Sequence, residues 1–415
     1  MKESFPVGAR YHVKARVELA GTLTPPPVKG KPSRPVKVQG DSAIDYDERV
    51  AALDSRGEVR KTVRICQRLD FRRTLAGVPQ GVALRPAVRR LVVLRRGTAE
   101  VPFSPDGPLT WGEIDAVRTD VFAPALAGLL PPGAVRVGEK WPAADAAVRE
   151  LTDLEKIEEG KLDCRLERVF ERGGRRLAKV AFAGTVRGVG EDGPVRHQLR
   201  GSYTFDLGAA FLLELALTGS TVLLDGGGKE VGRIEGRFVM TREAKTRSGE
   251  LTDAALRGVK LEPDAENTLL LYDNPALGLR FLHARRWRVA QVMGPQVALA
   301  AGDGSGVLIT VDPLERIPTS AAFLAESRGW LEKQRAKLLR VYSARQLRAA
   351  PLLEAFALEA EMNGQRFWMD YYITRQARGG ATIAARQLPG DLPNLRKEVD
   401  RIARSVTITR KVLAK

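Results

Sequence analysis

Apolar and polar residues alternate with a period of two from Tyr11 to about Met240, the mark of strands with one face buried and one solvated. Tyr11, Val13, Ala15, Val17 and Leu19 share one face; His12, Lys14, Arg16 and Glu18 share the other, so His12 is expected on the solvent side. A Pro- and Lys-rich loop over 24–35 separates this strand from one carrying Val36, Val38, Ser42, Ile44 and Tyr46. Further strands are predicted over 59–72, around Cys66, and over 89–96. Between 108 and 153 the period changes. Leu109, Trp111, Ile114 and Val117, then Val121, Phe122, Leu126, Leu129 and Leu130, recur at helical spacings until Pro131-Pro132-Gly133 stops them. Five antiparallel strands follow at about 161–171, 175–187, 194–206, 210–224 and 229–240, joined by short Gly/Asp loops at 172–174, 190–193, 206–208 and 225–228. In the third of them Val195, His197, Leu199, Tyr203 and Phe205 share a face. The expectation is a curved, half-barrel-like antiparallel sheet over 1–243, with the helical insertion at about 108–153 lying on one face.

A polar stretch over 244–268 reads as a linker. Beyond it, 269–415 shows strands around 279–283, 287–292, 296–301 and 306–312. A long amphipathic helix is expected from Ser320 to about Leu339, with Phe323, Leu324, Trp330, Leu331 and Leu338 on its apolar side. Strands at about 354–361, 365–375 and 379–387 lead to a closing helix over 392–405 and a short strand over 406–410. This is an antiparallel sheet with two helices, so the fold class is α+β in both parts.

Charge adds polarity to this outline. Of the net +17, residues 1–100 contribute +11, 101–243 contribute −3 and 244–415 contribute +9. Arginine supplies 49 of the 67 basic residues, so the excess fits a solvated basic surface as well as an anionic partner. The densest pairs, Arg72-Arg73, Arg89-Arg90 and Arg95-Arg96, lie in strands, where neighbours point to opposite faces. Only Phe71 among them is aromatic, which argues against nucleic acid. No run of about 18 uncharged apolar residues occurs, so no transmembrane segment is expected. The first residues carry no leader pattern, which reads as cytoplasmic; the abrupt entry into a strand equally fits the mature form of an exported periplasmic or envelope protein.

Candidate chemistry is sparse. With three His and two Cys, no metal site, cofactor site or catalytic set emerges. The Gly-rich runs at 225–229 and 302–306 sit between strands and lack the spacing of a phosphate loop or nucleophile elbow. Cys66 and Cys164 read as two buried thiols, a disulfide between them being the alternative. Asp45 and Asp47 are expected at the surface, and Glu155, Glu158 and Glu159 in an acidic turn before a strand. Two apolar groups remain. Phe211, Leu213, Leu215 and Leu217 alternate on a strand apolar on both faces and could line a cavity. Phe367, Met369 and Tyr371 share one face of another strand and Trp368, Asp370 and Tyr372 the opposite one; Trp368 and Tyr372 are candidates for a partner surface, core on both faces being the alternative.

The C-terminal block resembles the PsbP/Mog-type α/β/α sandwich family in Tyr272-Asp273, Gly278-Leu279-Arg280-Phe281, Arg286-Trp287, the hairpin ending Val307 to Val311, and the helix running into Ser405-Val406-Thr407-Ile408. Arg286 departs from the small residue usual before the Trp. The resemblance implies a non-catalytic domain that docks on a partner protein. The first two-thirds, on its long meander and helical insertion alone, is similar to β-rich domains of uncharacterised bacterial envelope proteins and to LolA-type half-barrels that carry lipidated proteins. Together these give an expectation of a non-enzymatic envelope or periplasmic binding or assembly module, with a lipid or lipoprotein carrier as the alternative; the expected partner is a protein, a lipid or an anionic surface.

Overall fold

The structure, a computed structural model, describes residues 1–25, 34–97, 99–191, 193–246 and 248–412. Most of the loop expected over 24–35, and Asp192 in the turn at 190–193, lie outside the described residues. The chain divides into two units, one of 1–107 with 112–263 and one of 108–111 with the chain from 264 onward.

The first unit is built on β1 (Arg10–Leu23), β2 (Val36–Leu53), β3 (Val59–Leu75), β4 (Val78–Ala83), β5 (Arg90–Arg96), β6 (Ala99–Phe103), β7 (Lys140–Pro142), β8 (Leu154–Arg172), β9 (Arg175–Gly190), β10 (Gly193–Asp206), β11 (Phe211–Leu224) and β12 (Glu230–Glu243). They form one twelve-stranded sheet in the order β6-β5-β3-β2-β1-β12-β11-β10-β9-β8-β7, with β4 beside β3. Every pairing is antiparallel, as short Gly/Asp turns between long alternating strands require. The five strands expected after the insertion are all present. The first of them begins earlier than expected, so Glu155, Glu158 and Glu159 lie in β8 and not in a turn.

A row of directly paired residues crosses this sheet: Leu162, Gly184, Leu199, Gly219, Gly236, Leu19, Gly40 and Arg73. Glycine and leucine mix along it because the backbones approach closely here. A Cβ on Gly184 would stand 2.0 Å from the Lys161 carbonyl oxygen, and one on Gly219 would stand 2.3 Å from Leu199 Cδ2. Such positions let a sheet curve.

Two helices, α1 (Trp111–Val117) and α2 (Asp145–Thr152), with a 3₁₀ stretch Ala123–Leu129, make up the insertion. The second helical run expected from Val121 is therefore 3₁₀, with Pro124 at its start. The insertion packs on one sheet face. Phe122, Leu126 and Leu129 are buried, and the Tyr203 hydroxyl and Trp141 Nε1 both donate to the Leu129 carbonyl at 2.9 Å. The opposite face is covered locally by residues 248–263, part of the stretch expected as a linker over 244–268. This stretch contains α3 (Asp253–Leu256), packs Leu251 against Val63 and Ile65, and pairs Glu262 with Lys61.

The second unit holds β13 (Leu270–Asn274), β14 (Leu279–His283) and β22 (Thr407–Ile408) in a three-stranded sheet. Its seven-stranded sheet comprises β15 (Arg288–Met293), β16 (Gln296–Ala300), β17 (Gly306–Asp312), β18 (Lys337–Arg348), β19 (Leu352–Met362), β20 (Gln365–Gln376) and β21 (Gly379–Gln387), ordered β15-β16-β17-β21-β20-β19-β18. Helices α4 (Ser320–Lys333) and α5 (Leu392–Ser405) pack on opposite faces, α4 against Phe356 and Tyr371 and α5 against Ile309, Ile383 and Tyr372. Residues 108–111 join this unit through Leu109, whose carbonyl accepts from Leu271 N at 2.8 Å. The expected helix over 320–339 stops at Lys333, where Arg335 turns the chain at φ 56°, and Leu338 belongs to β18. Trp330, expected on the apolar side, is 50% exposed. Overall the protein is mostly antiparallel sheet with few helices.

Candidate functional site

Because directly paired residues share a face, Val17, Leu19, Phe238, Ile234, Leu217, Thr221, Leu199 and His197 form one continuous surface across β1, β12, β11 and β10. This is the face the insertion packs on. Together with Phe71 and Arg73 of β3, Val82 of β4, and 115–121 and 150–153 of the insertion, these residues line a groove of about 780 Å³. In sheet order β3 and β10 are five strands apart, roughly 24 Å if the sheet were flat. That both line one groove requires the sheet to bend round it. Val17, Leu19, Leu217 and Ile234 are only half-buried, so the floor is aliphatic surface left partly open to water.

The insertion is tied down by charge. Arg64, 1% exposed, donates to Glu48 Oε1 at 2.7 Å, stands 3.2 Å from Asp120 Oδ2 and lies 4.5 Å over the Tyr46 ring. Tyr46 donates to Asp120 at 2.6 Å, and Ser42 and Thr119 share a hydrogen bond at 2.9 Å. Arg95 pairs with Glu150 and stacks over Phe122, while Glu150 accepts from Phe122 N. Burial pushes Asp120 up to about 6, the Arg64 guanidinium opposing it, and pushes Glu100 up to about 7. The insertion is thus pinned to the sheet on one side of the groove.

His197 is a polar residue of the floor, beside Thr221. It is 7% exposed; its Nδ1 meets Thr221 Oγ1 at 3.0 Å, and its Nε2 has no partner among the described residues. Desolvation lowers it to about 4, so the ring is neutral at ordinary pH. At the rim, Arg118 of the insertion meets Glu191 at the β9–β10 turn at 3.1 Å.

His12 sits elsewhere and is not solvent-facing. Residues 248–251 return across its side of the sheet, and it is 1% exposed. Its Nδ1 is 2.9 Å from Asp47 and its Nε2 is 3.2 Å from Asp45. Asp47, expected at the surface, is fully buried and accepts from Ser248 N and Gln67 Nε2. Carboxylates stand on both ring nitrogens, which clasps β1 to β2 and, through Asp47, to Ser248. Among the described residues no group of His, Cys, Asp and Glu is arranged to hold a metal ion. Cys66 and Cys164 are free, both thiols pushed up to about 12 by burial, which makes poor nucleophiles.

Of the four residues expected to line a cavity, Leu217 lines the groove. Leu215 lies on the same face, wholly buried beside Tyr203 and Met240. Phe211 packs at the start of the strand on Tyr11 and the Arg242 guanidinium, and Leu213 is half-buried away from the groove; a bulge at Thr204/Phe205 shifts the register, and with it the facing of this end. Tyr372 is core and not partner surface, 5% exposed beneath α5. Trp368 is half-buried between Tyr342 and Arg396. The basic pairs find local acids: Arg72 meets Asp41, Arg89 meets Glu250 and Arg95 meets Glu150.

No protein-family model and no curated protein matches the chain. Three solved structures are similar to parts of it. The cyanobacterial PsbP (CyanoP) of Synechocystis is 12% identical, with a TM-score of 0.28 over 34% of this chain and 92% of that one. A mutant of Mog1 is 6% identical, TM-score 0.28, over 34% and 96%. Lipovitellin, from a structure concerned with lipid–protein interactions, is 8% identical, TM-score 0.35, over 70% of this chain and 29% of its own length. About a third of the chain is therefore similar to PsbP and Mog1. The residues missed in the sequence are Arg64, Asp120 and His197: the first two read as ordinary alternating or loop charges until the insertion folds onto the sheet, whereas the apolar face of His197 was visible in the alternation.

Proposed function

We propose that the protein is a non-enzymatic binding module whose first unit carries an apolar, lipid-class molecule in the groove of its curved sheet, and whose second unit, a PsbP/Mog-type domain, docks on a protein partner in the cell envelope. The observation that carries the first part is the half-open aliphatic floor of Val17, Leu19, Leu217 and Ile234 in a groove of about 780 Å³, within the size range of small-molecule sites. Soluble proteins rarely leave contiguous apolar surface open without a ligand or partner for it. Burial of each ligand CH₂ would contribute about 0.8 kcal/mol. The motif resemblance of its strand, helix, hairpin and helix order supports the second unit's role.

The uncharged fluorophore N-phenylnaphthylamine tests the carrier role. The expected result is saturable, near-stoichiometric enhancement, weakened about tenfold or more by Leu217→Arg, which sets a charge on the floor. Wild-type protein that gives no saturable signal, and from which organic solvent extracts no lipid, overturns the reading.

A further inference from the structure

Resting on the carrier reading, we propose that the groove recognises an uncharged oxygen head group, a hydroxyl or ester on an acyl chain, through a subsite made by His197 and Thr221. The two residues are directly paired on β10 and β11, and both line the groove. Their shared hydrogen bond, 3.0 Å from Thr221 Oγ1 to His197 Nδ1, occupies one ring nitrogen and fixes the ring plane. The other nitrogen, Nε2, has no partner among the described residues although the side chain is more than nine-tenths buried. An imidazole nitrogen removed from water without a partner carries a desolvation cost. A ligand oxygen offsets it.

The chemistry of that oxygen follows from the surroundings. Leu199 and Gly219 lie one row along the same face, and Val195 and Leu223 lie on the other side. No carboxylate bonds the ring, and burial holds it neutral, so it offers an anion no opposite charge. It offers a neutral donor when the Thr221 hydroxyl donates to Nδ1, and a neutral acceptor when that hydroxyl accepts. A hydroxyl answers either tautomer, and an ester carbonyl answers the first. Aliphatic positions Leu19, Leu217 and Ile234 continue the floor for the chain. The ligand class is a neutral single-chain amphiphile such as a monoacylglycerol.

The test is competition against N-phenylnaphthylamine with monolauroylglycerol and with laurate, using the whole protein and the variants His197→Phe, His197→Gln and Thr221→Val, each checked for an unchanged melt. His197→Phe is expected to weaken monolauroylglycerol about tenfold, each inhibition constant being corrected with the fluorophore's own affinity for that variant. His197→Gln, which keeps a donor and an acceptor, should restore most of the affinity, and Thr221→Val should lose part of it. Laurate, which Arg73, Arg118 and Arg237 of the lining attract in their own right, should be indifferent to the substitutions whatever its affinity for the wild type. Equal competition by monolauroylglycerol in wild type and His197→Phe overturns the subsite while leaving the carrier reading intact. So does a loss for laurate as large as that for the glycerol ester. Absence of fluorophore binding to the wild type overturns both. If His197→Phe does not fold, Thr221→Val decides: monolauroylglycerol competing with it as strongly as with the wild type overturns the subsite.

Discussion

In the second unit the central strands of the seven-stranded sheet are closed on both faces. Leu395, Val399 and Ile402 of α5 are fully buried on one side, and Phe356, Leu358 and Tyr371 lie under α4 on the other. On the twelve-stranded sheet of the first unit the insertion adds to its buried Phe122, Leu126 and Leu129 an ion network of Arg64, Glu48 and Asp120, where α5 relies mainly on aliphatic contact. The difference separates a packed core from a receptacle. Aliphatic packing has no reason to stop at an edge, whereas an ion network anchors a cover at one place and leaves the surface beyond it free.

The comparison breaks most sharply at Arg64. Arg64→Met leaves Glu48 and Asp120 buried without their cation, and is expected to destabilise the first unit by about 3–5 kcal/mol, read as an early transition in urea. Survival of that transition at its wild-type midpoint would show that packing alone holds the insertion. The counterpart in the second unit, Leu395→Ala, should cost about 2–5 kcal/mol through the cavity it opens and leave fluorophore binding in the groove unchanged. A parallel loss of binding would contradict the assignment of the groove to the first unit alone.

The smallest effect sharpens the electrostatic side. Burial raises Glu100 to about 7 from an ordinary value near 4.5, so the folded protein holds a proton that the unfolded chain gives up. That contribution is fully present below the unfolded value and is lost as pH rises through 7. His197, lowered to about 4, works in the opposite sense: its contribution is present above about 6.5 and lost as pH falls through 4. Between pH 6.5 and 8 the carboxylates therefore dominate, and the first unit should become less stable as pH rises. Glu100→Gln should flatten that slope and leave the variant relatively more stable at pH 8. Urea melts at the two pH values measure it, and parallel slopes in the two proteins would refute the account.

Much of the fold was legible because local period reports local structure. The strands at 279–283, 306–312 and 379–387 are found at the expected bounds. Failures came where a distant segment decides the environment. His12 and Asp47 sit on the polar phase of their strands, yet both are buried and Ser248 N bonds Asp47. Leu338 continues a helical spacing, but Arg335 at positive φ has already ended the helix. Leu217 was found from alternation because its strand keeps phase up to the groove, while Phe211 and Leu213 lie beyond a bulge that alternation does not reveal. The glycines at 40, 184, 219 and 236 form a line only once the register is known.

The attachment of residues 108–111 to the second unit bears on how the protein can be taken apart. Leu109 accepts from Leu271 N, and Arg288 stacks 3.6 Å from the Trp111 ring, so four residues from the middle of one unit's sequence complete the other. A single cut at 263 leaves the downstream fragment without that segment and leaves Leu271 N with no acceptor there. Neither unit is therefore a contiguous stretch of gene, and a fragment beginning at 264 would have to be supplied with 108–111, as a peptide or a grafted leader, before its stability spoke for the unit in the intact chain.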